Sequence, residues 1–379
     1  MSKNSTTLKV AFVPAICPLY RLPIWEKLAN LKSMDTIFYL EPENNIDNIK
    51  YIPKSTLDKK FNWQRVKNTY NLGFFWQKDV IKLAFSSCDV IIFSGNIRCI
   101  STWITSILAR ALGKRVYFWS HGVYGKEGKI ALLIKRFFLS IPTGNFFYGN
   151  LSLQKVLSWN FSESQNHVIY NSLDYDFHKK MRSIKGDNKI YEHHFQNNDP
   201  VLIFIGRLTK IKKLDQFLLA VKKLKNQGLS YNIVLIGDGP EKENLRTISE
   251  ENHLNTWFYG ECYDEEVLHS LIKKSDLCIS PGNVGLTLIH CLSYGTPVIT
   301  HGDFDNQMPE AEAIIPGFNG DFFKKNCIED LSIRIKKWFV DHIDKDRNTI
   351  AENCYSIIDE KYNPYFQSAL VEKVLLNNK

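Results

Sequence analysis

Short apolar runs alternate along this chain with longer stretches of helical periodicity. LKVAFV at 8–13, DVIIF at 89–93 and RVYFW at 115–119 are nearly continuous apolar segments, the pattern of parallel strands covered on both faces. Residues 34–40, 145–148 and 167–170 read as further strands, and helices are expected at 24–31 and 102–112. A second series begins at Val201, with strands at 201–205, 231–236, 257–259, 277–280 and 298–300. Its helices are expected at 213–226, 241–252 and 264–274, and one more opens near Gly285. Such alternation predicts an α/β protein of two Rossmann-like, doubly wound domains. Between the series, 172–200 is polar and broken, with Gly186, Asp187 and Asn188, and reads as a linker carrying one short helix at 190–195. The last segments, 328–342, 345–359 and 364–376, read as helices with no further strand to cover. The expected division is 1–171, a linker at 172–199, 200–360, and a terminal helix within 361–379 that is a candidate to pack back on the first domain.

A length of 379 residues suits two domains with separate cores, and a 44% hydrophobic, 13% aromatic composition excludes a disordered chain. No run approaches the roughly 18 apolar residues that cross a bilayer. The opening residues are too interrupted by Pro14 and Pro18 for a secretory signal, so a cytoplasmic protein is expected. Eight cysteines without a CxxC pair read as buried thiols, and no metal site is expected. Charge changes the picture more. Residues 1–170 hold 22 Lys and Arg against 10 Asp and Glu, a net +12, and the remainder hold 26 against 30, a net −4. Between Arg98 and Arg136 stand eight basic residues and one acid, Glu127, among apolar and aromatic positions. That mixture suits an anionic membrane surface or a phosphate-bearing lipid, or else a solvated basic face.

Candidate chemistry gathers where strands hand over to loops. After the strand at 201–205 comes Gly206, where the backbone can approach a ligand, with Arg207 and Lys212 close behind it. Gly237, Asp238, Gly239 and Pro240 form a strand-ending turn. Residues 276–301 read as strand, Pro-Gly-Asn turn, helix start and strand, a place where helix amides can meet an anion.

Taken in order, GRLTKIK at 206–212, IGDGP ending at Pro240, the turn at Tyr259 and Gly260, SPGNVGLTLIHCLSYGTPVIT at 280–300, and Glu312 before Gly320 resemble the landmarks of GT-B glycosyltransferases of the large retaining family 4. YNSLD at 170–174 is similar to the element with which that family leaves its first domain, and Ser120-His121-Gly122 resembles its first-domain strand end. The resemblance implies two domains facing across a cleft and a metal-independent transfer of a sugar from a nucleotide-sugar donor, UDP- or GDP-linked, with no other cofactor. Arg207 and Lys212, with Gly206 and Gly237 beside them, would hold the donor diphosphate. Gly285, Leu286 and Thr287 would offer amides, Tyr263 would flank the base, and His121 would contact the sugar near the reacting carbon. The family has two glutamates eight positions apart where this chain has Gly282 and His290. His290 would then meet the ribose, and Glu312, or Glu310 as second candidate, would stand at the sugar. The implied acceptor is a glycan or a saccharide or polyprenyl-diphosphate-linked lipid in bacterial surface polysaccharide synthesis. The protein would sit peripherally on the inner face of the membrane, with 126–138 as its lipid contact and no nucleic-acid partner. A sugar-nucleotide 2-epimerase of the same architecture and a non-catalytic saccharide-binding subunit remain open alternatives.

Overall fold

Strands that are apolar at every position need cover on both faces, and the chain meets that demand twice. The computed structural model describes residues 7–42, 50–184 and 189–377; the glycine-containing break at 186–188 lies outside the described residues. The first series runs β1 (Leu8–Val13), α1 (Leu22–Ala29), β2 (Met34–Leu40), α2 (Lys54–Lys60), β3 (Trp63–Arg65), β4 (Asn68–Asn71) and β5 (Phe74–Gln77). It continues through β6 (Val90–Phe93), α3 (Ile100–Ala111), β7 (Arg115–Ser120), α4 (Lys129–Ser140), β8 (Gly144–Phe147), α5 (Asn150–Leu157) and β9 (Asn166–Val168). The second comprises α6 (Tyr175–Arg182), α7 (Ile190–Phe195), β10 (Val201–Ile205), α8 (Leu214–Lys225), β11 (Asn232–Ile236), α9 (Lys242–Glu251), β12 (Asn255–Gly260) and α10 (Glu265–Lys274). It closes with β13 (Leu277–Ser280), α11 (Leu286–Ser293), β14 (Val298–His301), β15 (Gly320–Phe323), α12 (Ile328–Asp341) and α13 (Arg347–Glu360), and α14 (Pro364–Asn377) ends the described chain.

Two units result, one of 1–174 together with 363–379, the other of 175–362. In the first, seven strands lie in the order β3-β2-β1-β6-β7-β8-β9, with every neighbouring pair parallel. Side chains alternate between its faces. Val10, Phe12, Val90 and Ile92 join one buried cluster, and Ala11, Val13, Ile91 and Phe93 join another. α14 contributes Val371, Val374 and Leu375 to the first cluster beside Ile24, Trp25 and Leu28 of α1. Gln367 of α14 further donates to the carbonyl of Tyr170 at 3.0 Å and accepts from the Ser172 hydroxyl at 2.6 Å. The second unit has six parallel strands in the order β12-β11-β10-β13-β14-β15.

Both sheets reverse their winding at a defined place, between β1 and β6 in the first and between β10 and β13 in the second. Crevices at the carboxyl ends of such neighbouring strands are where doubly wound sheets take ligands. Several elements depart from the sequence reading. β15 adds a sixth strand that GDFF, with its glycine and aspartate, does not announce. The short polar β3 and the antiparallel hairpin of β4 and β5 occupy a region without apolar rhythm. The stretch read as a linker contains α6 as well as α7, and both lie in the second unit.

Candidate functional site

In the second unit, the loop after β10 and the turn after β13 are built as one piece. The Gly206 amide donates to the Ile236 carbonyl at 2.9 Å, and the Gly237 amide to the Gly260 carbonyl at 2.7 Å. The Gly282 amide donates to the Lys212 carbonyl at 3.0 Å, and the Thr287 hydroxyl donates to the Ile205 carbonyl at 2.9 Å. A Cβ added at Gly282 would lie 2.0 Å from the Ile211 carbonyl oxygen, so this position can hold no side chain while the basic loop keeps its place. Gly285 caps α11 with φ of 53°, and the helix opens at Leu286 and Thr287 as expected from the sequence.

Lys212 reaches across from this loop and its ammonium donates to the Asn283 carbonyl at 2.5 Å, while Arg207 stays exposed. Burial lowers the pKa of Lys212, and the charge of Glu310 works against that shift. Glu310 is 2% exposed on the short turn Pro309–Ala313, and Glu312, half-buried, lies on the same turn. Of the two acids the sequence offers, Glu310 is thus the one placed beside Lys212. The turn is held by Gln307, a buried residue that the sequence does not single out. Its carbonyl oxygen accepts from the amides of Val284 at 2.9 Å and Met308 at 3.0 Å, and its amide donates to the Thr300 hydroxyl at 3.0 Å.

His290 is engaged by two neighbouring helices. Its Nε2 lies 3.1 Å from Glu265 Oε2, and its ring stacks on His178 at 5.2 Å. The sequence reading offered that imidazole to a ribose; in the fold it already holds a carboxylate, supplied from the first turn of α10. Tyr263, just before that helix, is 62% exposed.

The first unit carries a separate cavity of ≈ 400 Å³ at the ends of β1, β6 and β7, lined among others by Arg21, Asn96, Trp119, His121, Tyr124 and Tyr148. His121 is followed by Gly122, whose φ is +64°; a Cβ there would come within 2.7 Å of the Phe147 ring. Its carbonyl accepts from the Ser152 hydroxyl at 2.6 Å, and its Nδ1 is buried with no hydrogen-bond partner. Burial first, then the charges of Arg21 and Lys135, lower its pKa to about 4, so the ring is neutral at pH 7. Arg21 comes from the loop after β1; its guanidinium lies 4.9 Å from the Tyr148 ring and donates to that phenol. Sequence reasoning missed Arg21, whose only signal is its place in a proline-rich strand-ending loop.

Helix α4 adds a surface to this unit. Ile130, Leu133, Ile134 and Phe137 are exposed by 46% to 77% on one stripe, and Ile100, Ile104 and Ile107 are exposed on α3. Trp103 joins the two helices, 6.1 Å from Phe137 and 4.5 Å from Phe138. Lys126, Lys129 and Arg136 are exposed near the stripe, whereas Lys135 turns inward to Glu127 at 2.5 Å and to the Gly122 carbonyl. Burial raises the Glu127 pKa, but the bonds from Lys135 and the amides of Tyr124 and Gly125 bring it down to about 2. The one acid of this stretch is therefore internally compensated, and the face is basic. Among the described residues no helix is long and apolar enough to cross a membrane.

Residues 187–356 match the family described as glycosyl transferases group 1. A glycogen synthase of Marinobacter nauticus is 29% identical over 27% of this chain, an aligned stretch that spans only 22% of that enzyme's length. The alpha-monoglucosyldiacylglycerol synthase of Streptococcus pneumoniae is 23% identical over 48% of this chain and 41% of its own. The crystal structure of Anabaena Alr3699/HepE in complex with UDP is similar over 98% of this chain and 100% of that one, with a TM-score of 0.73 at 15% identity. Together with the two sheets described above, that likeness shows the GT-B fold.

Proposed function

We propose that this chain, a glycosyl transferases group 1 protein over residues 187–356, moves a sugar from a UDP- or GDP-linked donor, with retention of configuration, to a saccharide or polyprenyl-diphosphate-linked acceptor. The observation that carries the reading is Lys212, an ammonium drawn in beside the turn at Gly285 and backed by the buried Glu310. In the transfer, the bond between the anomeric carbon and the diphosphate oxygen breaks, and the leaving group takes both electrons. The acceptor hydroxyl oxygen forms the new bond and passes its proton to the departing diphosphate oxygen. Negative charge grows on the departing phosphate, where Arg207, Lys212 and the first amides of α11 stabilise it without reorganising. Glu310 does not need to touch the sugar to matter, because its charge favours the protonated form of Lys212.

The cavity in the first unit suits the acceptor. A neutral imidazole and a guanidinium among aromatic rings can receive hydroxyls and a phosphate together. The apolar stripe of α4 with its basic rim supports docking at the inner face of an anionic membrane, the setting in which a lipid-linked acceptor is met. The name of the pneumococcal diacylglycerol relative is in keeping with a lipid acceptor.

Thermal shift and calorimetry with UDP and GDP test the donor assignment. Binding is expected in the wild type and is weakened in Arg207→Ala and Lys212→Ala; unchanged nucleotide binding in both variants overturns it. Interconversion of UDP-N-acetylglucosamine without any acceptor would instead favour an epimerase.

A further inference from the structure

The contact between His290 and Glu265 is part of a larger constellation. His178 on α6, Glu265 at the start of α10 and His290 on α11 place one ligand-capable atom each within 4.8 Å of the others. Among the described residues this is the one group of three His, Cys, Asp or Glu side chains so arranged. His290 Nε2 stands 3.1 Å and His178 Nε2 3.8 Å from the same carboxylate oxygen. A tetrahedral ion with bonds of about 2.1 Å holds its ligand atoms roughly 3.4 Å apart, between those two separations. We propose that His178, Glu265 and His290 form a binding site for a divalent late first-row metal ion, zinc by preference, that ties α6 and α10 to α11.

The surroundings suit that role better than a solvated ion pair. His178 is 3% exposed and the His290 side chain 13%, so two of the three ligands are fixed by packing. Their rings are close to parallel, at 19°. Tyr294 packs on both, 4.8 Å from His178 and 5.3 Å from His290, and its phenol donates to Glu265 Oε2 at 3.2 Å. That is the outer hydrogen bond that orients ligating carboxylates. Glu265 itself is 43% exposed, which leaves a path for the ion and room for a water as fourth ligand. Two nitrogens and one oxygen suit zinc, cobalt or nickel rather than magnesium or calcium. The site has no part in neutralising the diphosphate, which is assigned to Arg207 and Lys212. Its consequence for the donor turn is mechanical, since His290 sits one turn along α11 from Thr287.

The test uses the full chain, stripped with EDTA and titrated with Co2+ and then Zn2+. One equivalent is expected to bind, with a visible cobalt spectrum lacking a thiolate charge-transfer band, and to raise the Tm by several degrees. His290→Asn and Glu265→Gln should each weaken binding at least about tenfold, as loss of a ligand or its support does. A thiolate band, absence of stoichiometric binding, or unchanged affinity in both variants overturns the site. His178→Asn belongs to the series but sits in the core. If it does not fold, the partly exposed Glu265→Gln carries the test with its circular dichroism as control.

Discussion

The carbonyl oxygen of Ile211 occupies the space that a side chain at Gly282 would need, 2.0 Å from where its Cβ would stand. The absence of a glutamate at this position is therefore built into the loop. Gly282→Ala is expected to cost about 1–3 kcal/mol by overpacking, and Gly282→Glu at least as much. Because the Gly282 amide also holds the Lys212 carbonyl, both variants should lose nucleotide affinity along with stability. Chemical denaturation and UDP calorimetry on the two variants check this; retained affinity in Gly282→Glu would contradict it.

Lys212 and Glu310 should act as a unit. A hydrogen bond to a charged group is worth about 1.5–3 kcal/mol, so Lys212→Met should weaken nucleoside diphosphate binding roughly tenfold to a hundredfold. Glu310→Gln removes the charge that raises the Lys212 pKa, leaving burial to lower it further. Affinity in that variant should fall as pH rises, and at a lower pH than in the wild type. Titrating the two proteins with UDP between neutral and alkaline pH separates the effects.

Acid should destabilise the protein through its histidines. His121, His269 and His301 each have a pKa lowered to about 4, burial being the first cause in all three. Above pH 6.5 they are neutral whether the chain is folded or not and contribute nothing. Between pH 6.5 and about 4 the unfolded chain binds protons that the folded chain refuses, so stability falls by up to about 1.4 kcal/mol per pH unit for each group. His121→Gln should flatten that slope, as read from denaturation midpoints across the window.

The stripe on α4 predicts vesicle binding. Basic side chains near an anionic surface contribute about 1 kcal/mol each, so replacing Lys126, Lys129 and Arg136 together by Ala should lower partition roughly 100-fold. Lys135→Ala is the control, because that ammonium is committed to Glu127 inside the unit. Leu133→Glu should act on the apolar term and abolish binding at high salt as well. Flotation with phosphatidylglycerol vesicles reads all three.

How far the sequence carried depends on the range of the interaction involved. Val90 to Phe93 and Leu277 to Ser280 are buried at every position, and such runs announce themselves locally. The loop from Gly206 and the helix start at Leu286 were legible because glycine and a change of period mark them. β3, of sequence WQR, and β15, of sequence GDFF, were not, since an edge strand can be short and polar when one neighbour supplies its hydrogen bonds. His178, Glu265 and His290 come from three separate helices, and Glu265 reads by itself as an ordinary acid in a helix's first turn. Arg21, Gln307 and the obstruction at Gly282 likewise depend on partners far away in the chain.

The return of α14 to the first unit has a bearing on biogenesis. During synthesis the amino-terminal sheet waits for Val371, Val374 and Leu375 until the whole of the second unit has emerged. Early on, that nascent half is left with an uncapped apolar face beside Trp25 and Leu28, a natural client for a chaperone. Trimming the tail after Tyr362 should therefore cost soluble yield more than it costs the folding of 175–362.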